Sequence, residues 1–247
     1  IKAKFIAVPT TAGSGSEVSS TAVFAYDNQN IKHFIVSHEL IPDIAILDPQ
    51  FVLELPREVL INSSMDALSH ALEGYISIMD NLLMDMYAET VARTIFSDLP
   101  ILFKNWQEKN NDSEDIKMLL SRIMNAAMLA GNIQNFKVPG IGHAFSHQFG
   151  KFGISHGLGC ALMLPISMEV NASNPIVRRK YNILAKNIGF QDFDRLLNQV
   201  IMLKENCQMP QNLTDLELNK ANQIRIKKDD ILVDLRSDVC FKMNPRE

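Results

Sequence analysis

Three of the chain's six histidines, His143, His147 and His156, fall within the short stretch IGHAFSHQFGKFGISHG. Upstream, SSMDALSHALEGY carries Asp66 and His70 four residues apart. On a helix, that spacing places two side chains on one face, about 5–6 Å apart. Asp66 and His70 can therefore close on one ion, and His143 and His147 repeat the geometry on a second helix. Each pair also has a plainer reading. Asp-x-x-x-His is the spacing of a helix-face ion pair, and a histidine on an apolar face is often a core residue with one hydrogen bond. Taken together, the residues offer one carboxylate and up to four imidazoles. Such nitrogen and oxygen donors suit Fe(II), Zn(II), Co(II) or Mn(II) rather than an iron–sulfur cluster. Four of them leave room for a substrate oxygen on an ion that accepts five or six ligands. Proton transfer is the other chemistry these histidines could perform.

Two further groups bear on chemistry. The loop TTAGSGSE, residues 10–17, follows a strand-like run. Its small residues allow close backbone approach, and the hydroxyls of Thr10, Thr11, Ser14 and Ser16 could meet phosphate or ribose oxygens. A flexible turn is the competing reading, because GSGSEV, GIGHAF and GLGCAL all miss the third glycine of GxGxxG. Cys160 lies four residues after His156, the spacing of a Cys–His nucleophilic pair. Its surroundings are apolar, and free cysteine is among the most buried residue types, so core filling is the simpler account.

The elements that must position these residues change character along the chain. Phe5–Val8, Thr21–Tyr26, Phe34–Val36 and Ile44–Leu47 are short apolar runs bounded by turn residues, including DNQN at 27–30. They read as the last strands of an α/β or mixed-sheet unit. After Pro56 the apolar period lengthens to that of helices and stays there. Helices are expected over Met65–Ile78, with Ser63 or Ser64 as N-cap, and over Asn81–Phe103, with Pro100 limiting the end. Others are expected over Glu114–Leu129, His156–Glu169, Asn174–Ile188, Asp192–Glu205 and Asp229–Cys240. The boundary between the two regimes falls near Leu53–Arg57. Hence residues 1–54 are assigned to one unit and 55–247 to a second, helical one.

Composition narrows the classes. With 247 residues, 47% of them hydrophobic, the chain can bury a substantial core. A net charge of −4 without a basic stripe argues against nucleic-acid binding. Arg178, Arg179 and Lys180 sit in a helical pattern and read as a solvated face. No apolar run reaches the roughly 20 residues of a membrane span. The three widely spaced cysteines, Cys160, Cys207 and Cys240, form no CxxC pair and point to a reducing, cytoplasmic setting. The start, IKAKFIAVPTT, reads as a strand entered midway, so the chain is expected to be the C-terminal portion of something longer.

VPTTAGSGSEV, LIPDIAILDP, SMDALSHALEGYIS and GIGHAFSHQFG with ISHGLGCALMLP occur in this order between Phe5 and Pro165, with a weaker echo in NPR at 244–246. In these motifs the chain resembles the iron-containing (group III) alcohol dehydrogenases. The resemblance implies an α/β remnant plus an all-α part: the end of a Rossmann-like nucleotide-binding domain, then a helical metal-binding domain. It implies hydride transfer between an alcohol and its aldehyde or ketone, with NAD or NADP and Fe(2+), or Zn(2+) or another divalent metal. Carried over by motif, Asp66, His70, His143 and His156 are the metal ligands. His147 lies on the nicotinamide side as a proton relay. Thr10 and Thr11 touch the cofactor, with Ser19, Thr21 and Lys32 as further contacts. The expected partners are a small alcohol or aldehyde and, in a homodimer or larger homo-oligomer, further copies of the chain. There are two departures. The family's pyrophosphate-holding GGGS segment is not in this sequence, and the segment from His147 to His156 is one residue shorter than usual. The alternatives are a zinc enzyme of the glycerol dehydrogenase type and a non-catalytic remnant that binds metal without cofactor.

Overall fold

The computed structural model describes residues 3–25, 32–107, 113–216 and 218–245, so the expected turn at 27–30 lies outside the described residues. The early part of the chain forms short strands: β1 (Ile6–Ala7), β2 (Thr21–Ala25), β3 (Lys32–Val36) and β4 (Ile44–Ala45). β1 pairs in parallel with β4, whereas β2 runs antiparallel to β3 with Thr21 opposite Val36. Both pairing senses occur, as a mixed set of strands requires. Their apolar side chains are only partly covered, and Phe5, Ile44 and Ile46 stay about half exposed.

From Arg57 onward the described elements are helical, apart from one short 3-10 turn at Gly150–Phe152 and another at Leu213–Asp215. They are α1 (Arg57–Ile76), α2 (Leu82–Gln107), α3 (Glu114–Gln134), α4 (Ile141–Phe149), α5 (His156–Ala172), α6 (Pro175–Asn187), α7 (Phe193–Asn206), α8 (Leu218–Ile226), α9 (Lys228–Ser237) and α10 (Val239–Met243). Local signals set several of the boundaries. Ser113, Asn174 and Asp192 each cap a following helix through a side-chain oxygen. No described helix is long and apolar enough to cross a membrane.

Three boundaries differ from the sequence expectation. α1 begins at Arg57, behind Pro56, and the expected caps Ser63 and Ser64 lie inside it, both donating to the Leu60 carbonyl. A serine within a helix can bond back to the preceding turn in this way instead of starting one. Pro100 does not end α2, which runs on to Gln107. Leu99, Leu102 and Phe103 around the proline are buried, and their packing holds the helix past the missing hydrogen bond. The single helix expected over Asp229–Cys240 is two, because Asp238 leaves helical geometry and caps α10.

α1 is the central element. Every residue from Ser64 to Ile76 is buried, with α2, α3 and α5 packed around it. Leu60, Leu68 and Leu72 are almost wholly enclosed, each worth about 1.5–3 kcal/mol of transfer free energy. The 10–17 loop is fastened to this core by backbone contact. Gly15 adopts a φ of +59° against Gly131 of α3, where a Cβ on either residue would come within 2.6 Å of the other's backbone. Gln134 donates to the Ser14 carbonyl, and Asn135 bridges Val18 and Ser20. The loop is therefore anchored between Ser14 and Ser20. Its small residues serve close packing.

Candidate metal centre

Asp66, His70 and Glu73 follow one another at i, i+4 and i+7 on α1, so they form one polar stripe along the buried part of the helix. α4 brings His143 to this stripe, and the first residue of α5 brings His156. Asp66 Oδ1 lies 3.7 Å from His70 Nε2, 3.5 Å from His143 Nε2 and 3.4 Å from His156 Nε2. His70 Nε2 and His143 Nε2 are 3.3 Å apart. Donor atoms held about 2.0–2.2 Å from a shared tetrahedral ion stand about 3.3–3.6 Å from one another. The observed separations match that spacing and are too long for good hydrogen bonds. Asp66 Oδ1 is buried and has no hydrogen-bond partner. A buried carboxylate oxygen without a partner costs several kcal/mol, roughly, unless a cation meets it. The four residues thus fit a divalent ion that takes nitrogen and oxygen donors. The shorter connection before His156 does not prevent this. A 3-10 turn at Gly150–Phe152 and Gly153 at φ +69° turn the chain within the available length.

Other residues hold the ligands in place. Glu73 is 1% exposed, and its carboxylate accepts the backbone N–H groups of Gly140, Gly142 and His143 as well as His143 Nδ1 at 2.6 Å. A carboxylate can only accept here, so the proton sits on Nδ1 and the Nε2 lone pair points toward Asp66. A Cβ on Gly142 would meet Glu73 Oε1 at 2.7 Å, which is why glycine stands there. Asn244 completes the start of α4 by accepting the Ile141 N–H. Ser146 Oγ donates to the His143 carbonyl and accepts from His156 Nδ1 at 2.9 Å, again leaving Nε2 with its lone pair toward Asp66. Sequence reasoning missed Glu73, Ser146 and Asn244. For Glu73 a signal existed in its i+7 spacing from Asp66.

His147 stands beside the cluster. Its ring stacks on His156 with centroids 5.3 Å apart, and Phe34 packs 5.1 Å away on its other neighbour, β3. Its Nδ1 is 2.8 Å from Asp238 Oδ2. A cavity of about 530 Å³ joins these parts, bounded by Asp66, His70, His143, His147 and His156 and also by Ser14, Ser16, Ser19 and Thr21. Among the sequence-derived cofactor contacts, Ser19 and Thr21 therefore line the cavity. Thr10 and Thr11 are exposed and do not line it. Lys32 opens β3, but its side chain lies outside the described residues. Cys160 is buried, donates to Ser146 Oγ and sits 3.8 Å from His156 Nε2.

Electrostatics agree with the geometry at Asp66, His70 and Asp238, whereas His143 is lowered by burial but raised more by Cys160, Asp66 and Glu73, and stands well above the ordinary imidazole range. Burial alone would raise the Asp66 carboxyl, but His156, His70 and His143 around it pull it well below the usual carboxylate range. Burial, reinforced by His143, keeps His70 neutral with its lone pair available. Burial raises the Asp238 carboxyl, but the bond and charge of His147 together with the backbone N–H groups of Cys240 and Phe241 bring it below the usual carboxylate range, so it too stays ionised.

Residues 60–247 match the Fe-containing alcohol dehydrogenase family, C-terminal, and residues 1–49 match Iron-containing alcohol dehydrogenase. A 1-propanol dehydrogenase of Salmonella typhimurium is 32% identical over 98% of this chain, which spans 65% of that protein's length. Among solved structures, an iron-containing alcohol dehydrogenase from Thermococcus thioreducens superposes with a TM-score of 0.85 at 31% identity, over 98% of this chain and 60% of that one. A sulfoacetaldehyde reductase from Bifidobacterium kashiwanohense in complex with NAD+ gives 0.83 at 29%, over 99% and 61%. The helical part and the short strands before it thus have the fold expected from the sequence. The two family matches, which between them cover residues 1–49 and 60–247, together with the shared fold identify the chain as a member of the iron-containing alcohol dehydrogenase family.

Proposed function

We propose that this chain forms the metal-binding and substrate-orienting part of an NAD(P)-linked dehydrogenase that interconverts a primary or secondary alcohol with its aldehyde or ketone. The observation that carries the reading is Asp66 Oδ1, buried, unpartnered and ringed by three imidazole Nε2 atoms. In this reading Asp66, His70, His143 and His156 hold a divalent ion, iron in the first place and zinc as the alternative. The chemistry the bound groups supply is Lewis acidity at the substrate oxygen and hydride exchange at its carbon. The chain's own residues do the rest. His147, at the cavity wall, takes the proton of the substrate hydroxyl through Nε2. Phe34, Val138 and Val239 give the cavity apolar walls that orient a short carbon chain and keep water out. Ser19 and Thr21 face the cofactor, with Thr10, Thr11 and Lys32 as outer contacts. Residues 1–54 then close the nucleotide-binding unit and 55–247 form the metal-binding one. The NAD+ held by the Bifidobacterium reductase supports a nicotinamide cofactor, and the NADPH-dependent butanol dehydrogenase of Clostridium saccharobutylicum, 28% identical, supports either form.

The test combines metal analysis with turnover. His70→Ala and His156→Ala are each expected to lose bound metal and alcohol-dependent nicotinamide reduction together. Full metal occupancy in either variant removes that residue from the ligand set. If a panel of simple alcohols gives no turnover in metal-loaded protein that binds NADH, the reaction assignment is wrong.

A further inference from the structure

Asp238 reaches the site from the far end of the chain, 91 residues after its partner His147. It is buried, and its two oxygens do different work. Oδ1 accepts the Cys240 N–H at 2.8 Å as the cap of α10, and Oδ2 faces His147 Nδ1 at 2.8 Å. Because an ionised carboxylate has no proton to give, the His147 proton must sit on Nδ1. Nε2 is then the ring's acceptor, on a side chain that lines the cavity. The opposite tautomer would offer the cavity a donor where the reaction needs an acceptor.

We infer that Asp238 is the positioning residue of this site: it fixes the His147 tautomer and ring orientation so that Nε2 can take the substrate hydroxyl proton. The inference rests on the dehydrogenase reading above. The O–H bond of the substrate breaks, its proton forms a bond to Nε2, and Asp238 itself exchanges no proton. The segment that carries Asp238 is tied to the catalytic helices a second time, since Asn244 accepts the Ile141 N–H of α4 and donates to Asn171 of α5. The carboxylate's placement is thus built into the packing of the chain's last helix against the site.

Asp238→Asn separates this role from a structural one. Asparagine is as good a helix cap as aspartate, so the Cys240 N–H keeps its acceptor. The amide nitrogen then replaces Oδ2 and can only donate toward His147, which forces Nδ1 to become the acceptor. In nitrogen-15 spectra of the zinc-loaded protein, His147 is expected as the Nδ1–H tautomer in the unaltered chain and as Nε2–H in Asp238→Asn. Turnover should fall about 10²–10⁴-fold, with KM and zinc content nearly unchanged. Asp238→Glu should keep the Nδ1–H tautomer and recover part of the rate. The same tautomer in the unaltered chain and in Asp238→Asn, or an unchanged kcat in that variant, would overturn the proposal. Undiminished kcat in His147→Asn would instead overturn the proton-transfer reading beneath it.

Discussion

Two aspartate–histidine pairs lie side by side in this protein and have opposite geometries. Asp238 and His147 are closed into a 2.8 Å hydrogen bond, with the second carboxylate oxygen also occupied by a backbone N–H. Asp66 and His70 stand 3.7 Å apart, and Asp66 Oδ1 has no hydrogen-bond partner. The residue types are the same, and both pairs are buried. What separates the two pairs is unmet valence: Asp66 keeps a buried oxygen that its histidine does not satisfy, and Asp238 already shares a proton with its partner. A carboxylate facing an imidazole is therefore evidence for a metal only when neither is satisfied by the other.

Several measurements can break or sharpen that contrast. The largest effect belongs to Asp66. Asp66→Asn should abolish tight metal binding, by 100-fold or more on the scale of roughly 3–5 kcal/mol for breaking a buried charge set. Next comes metal loading itself. At 100 times Kd a divalent ion should stabilise the fold by about 2.7 kcal/mol, a shift that chelation reverses and that Asp238→Asn leaves intact. Glu73→Gln should follow, weakening metal affinity by about 10–100-fold in chelator competition through loss of the His143 tautomer lock.

The last effect lies outside the site and tests the same idea on a cation. Lys204 is fully buried with one carbonyl partner, that of Gln211, and burial pulls its pKa from 10.5 down to about 8. Between those values the unfolded chain binds a proton that the folded chain does not, so this residue's contribution to stability rises with pH from about 8 to 10.5. Lys204→Met should flatten that slope in urea titrations across the same window. A slope that survives the substitution would assign it to another group.

Much of this arrangement could be read from the sequence. Asp66, His70, His143 and His156 were legible because helical spacing and a run of histidines are local patterns. Most of the helices after Pro56 were legible for the same reason, including the starts at Asn174 and Asp192. What was illegible depends on distant chain segments. Nothing in the local sequence around Asp238 says that it meets His147, and the capping role of Asn244 needs α4 beside it. Ser63 and Ser64 misled because a serine's hydroxyl serves a helix start and a helix interior equally well, and only Pro56 with the turn after it decides. Pro100 misled because tertiary packing outweighed a local preference.

The contact between Gly15 and Gly131 has a consequence for the width of the cavity. It brings backbone against backbone, so the distance between the serine-bearing loop and α3 is set with no side chain to adjust. A single methyl at Gly131 would act as a shim. It would lift the wall formed by Ser14, Ser16 and Ser19 away from the histidines and widen the cavity between them. The width of that cavity is thus gauged by the thickness of two glycines.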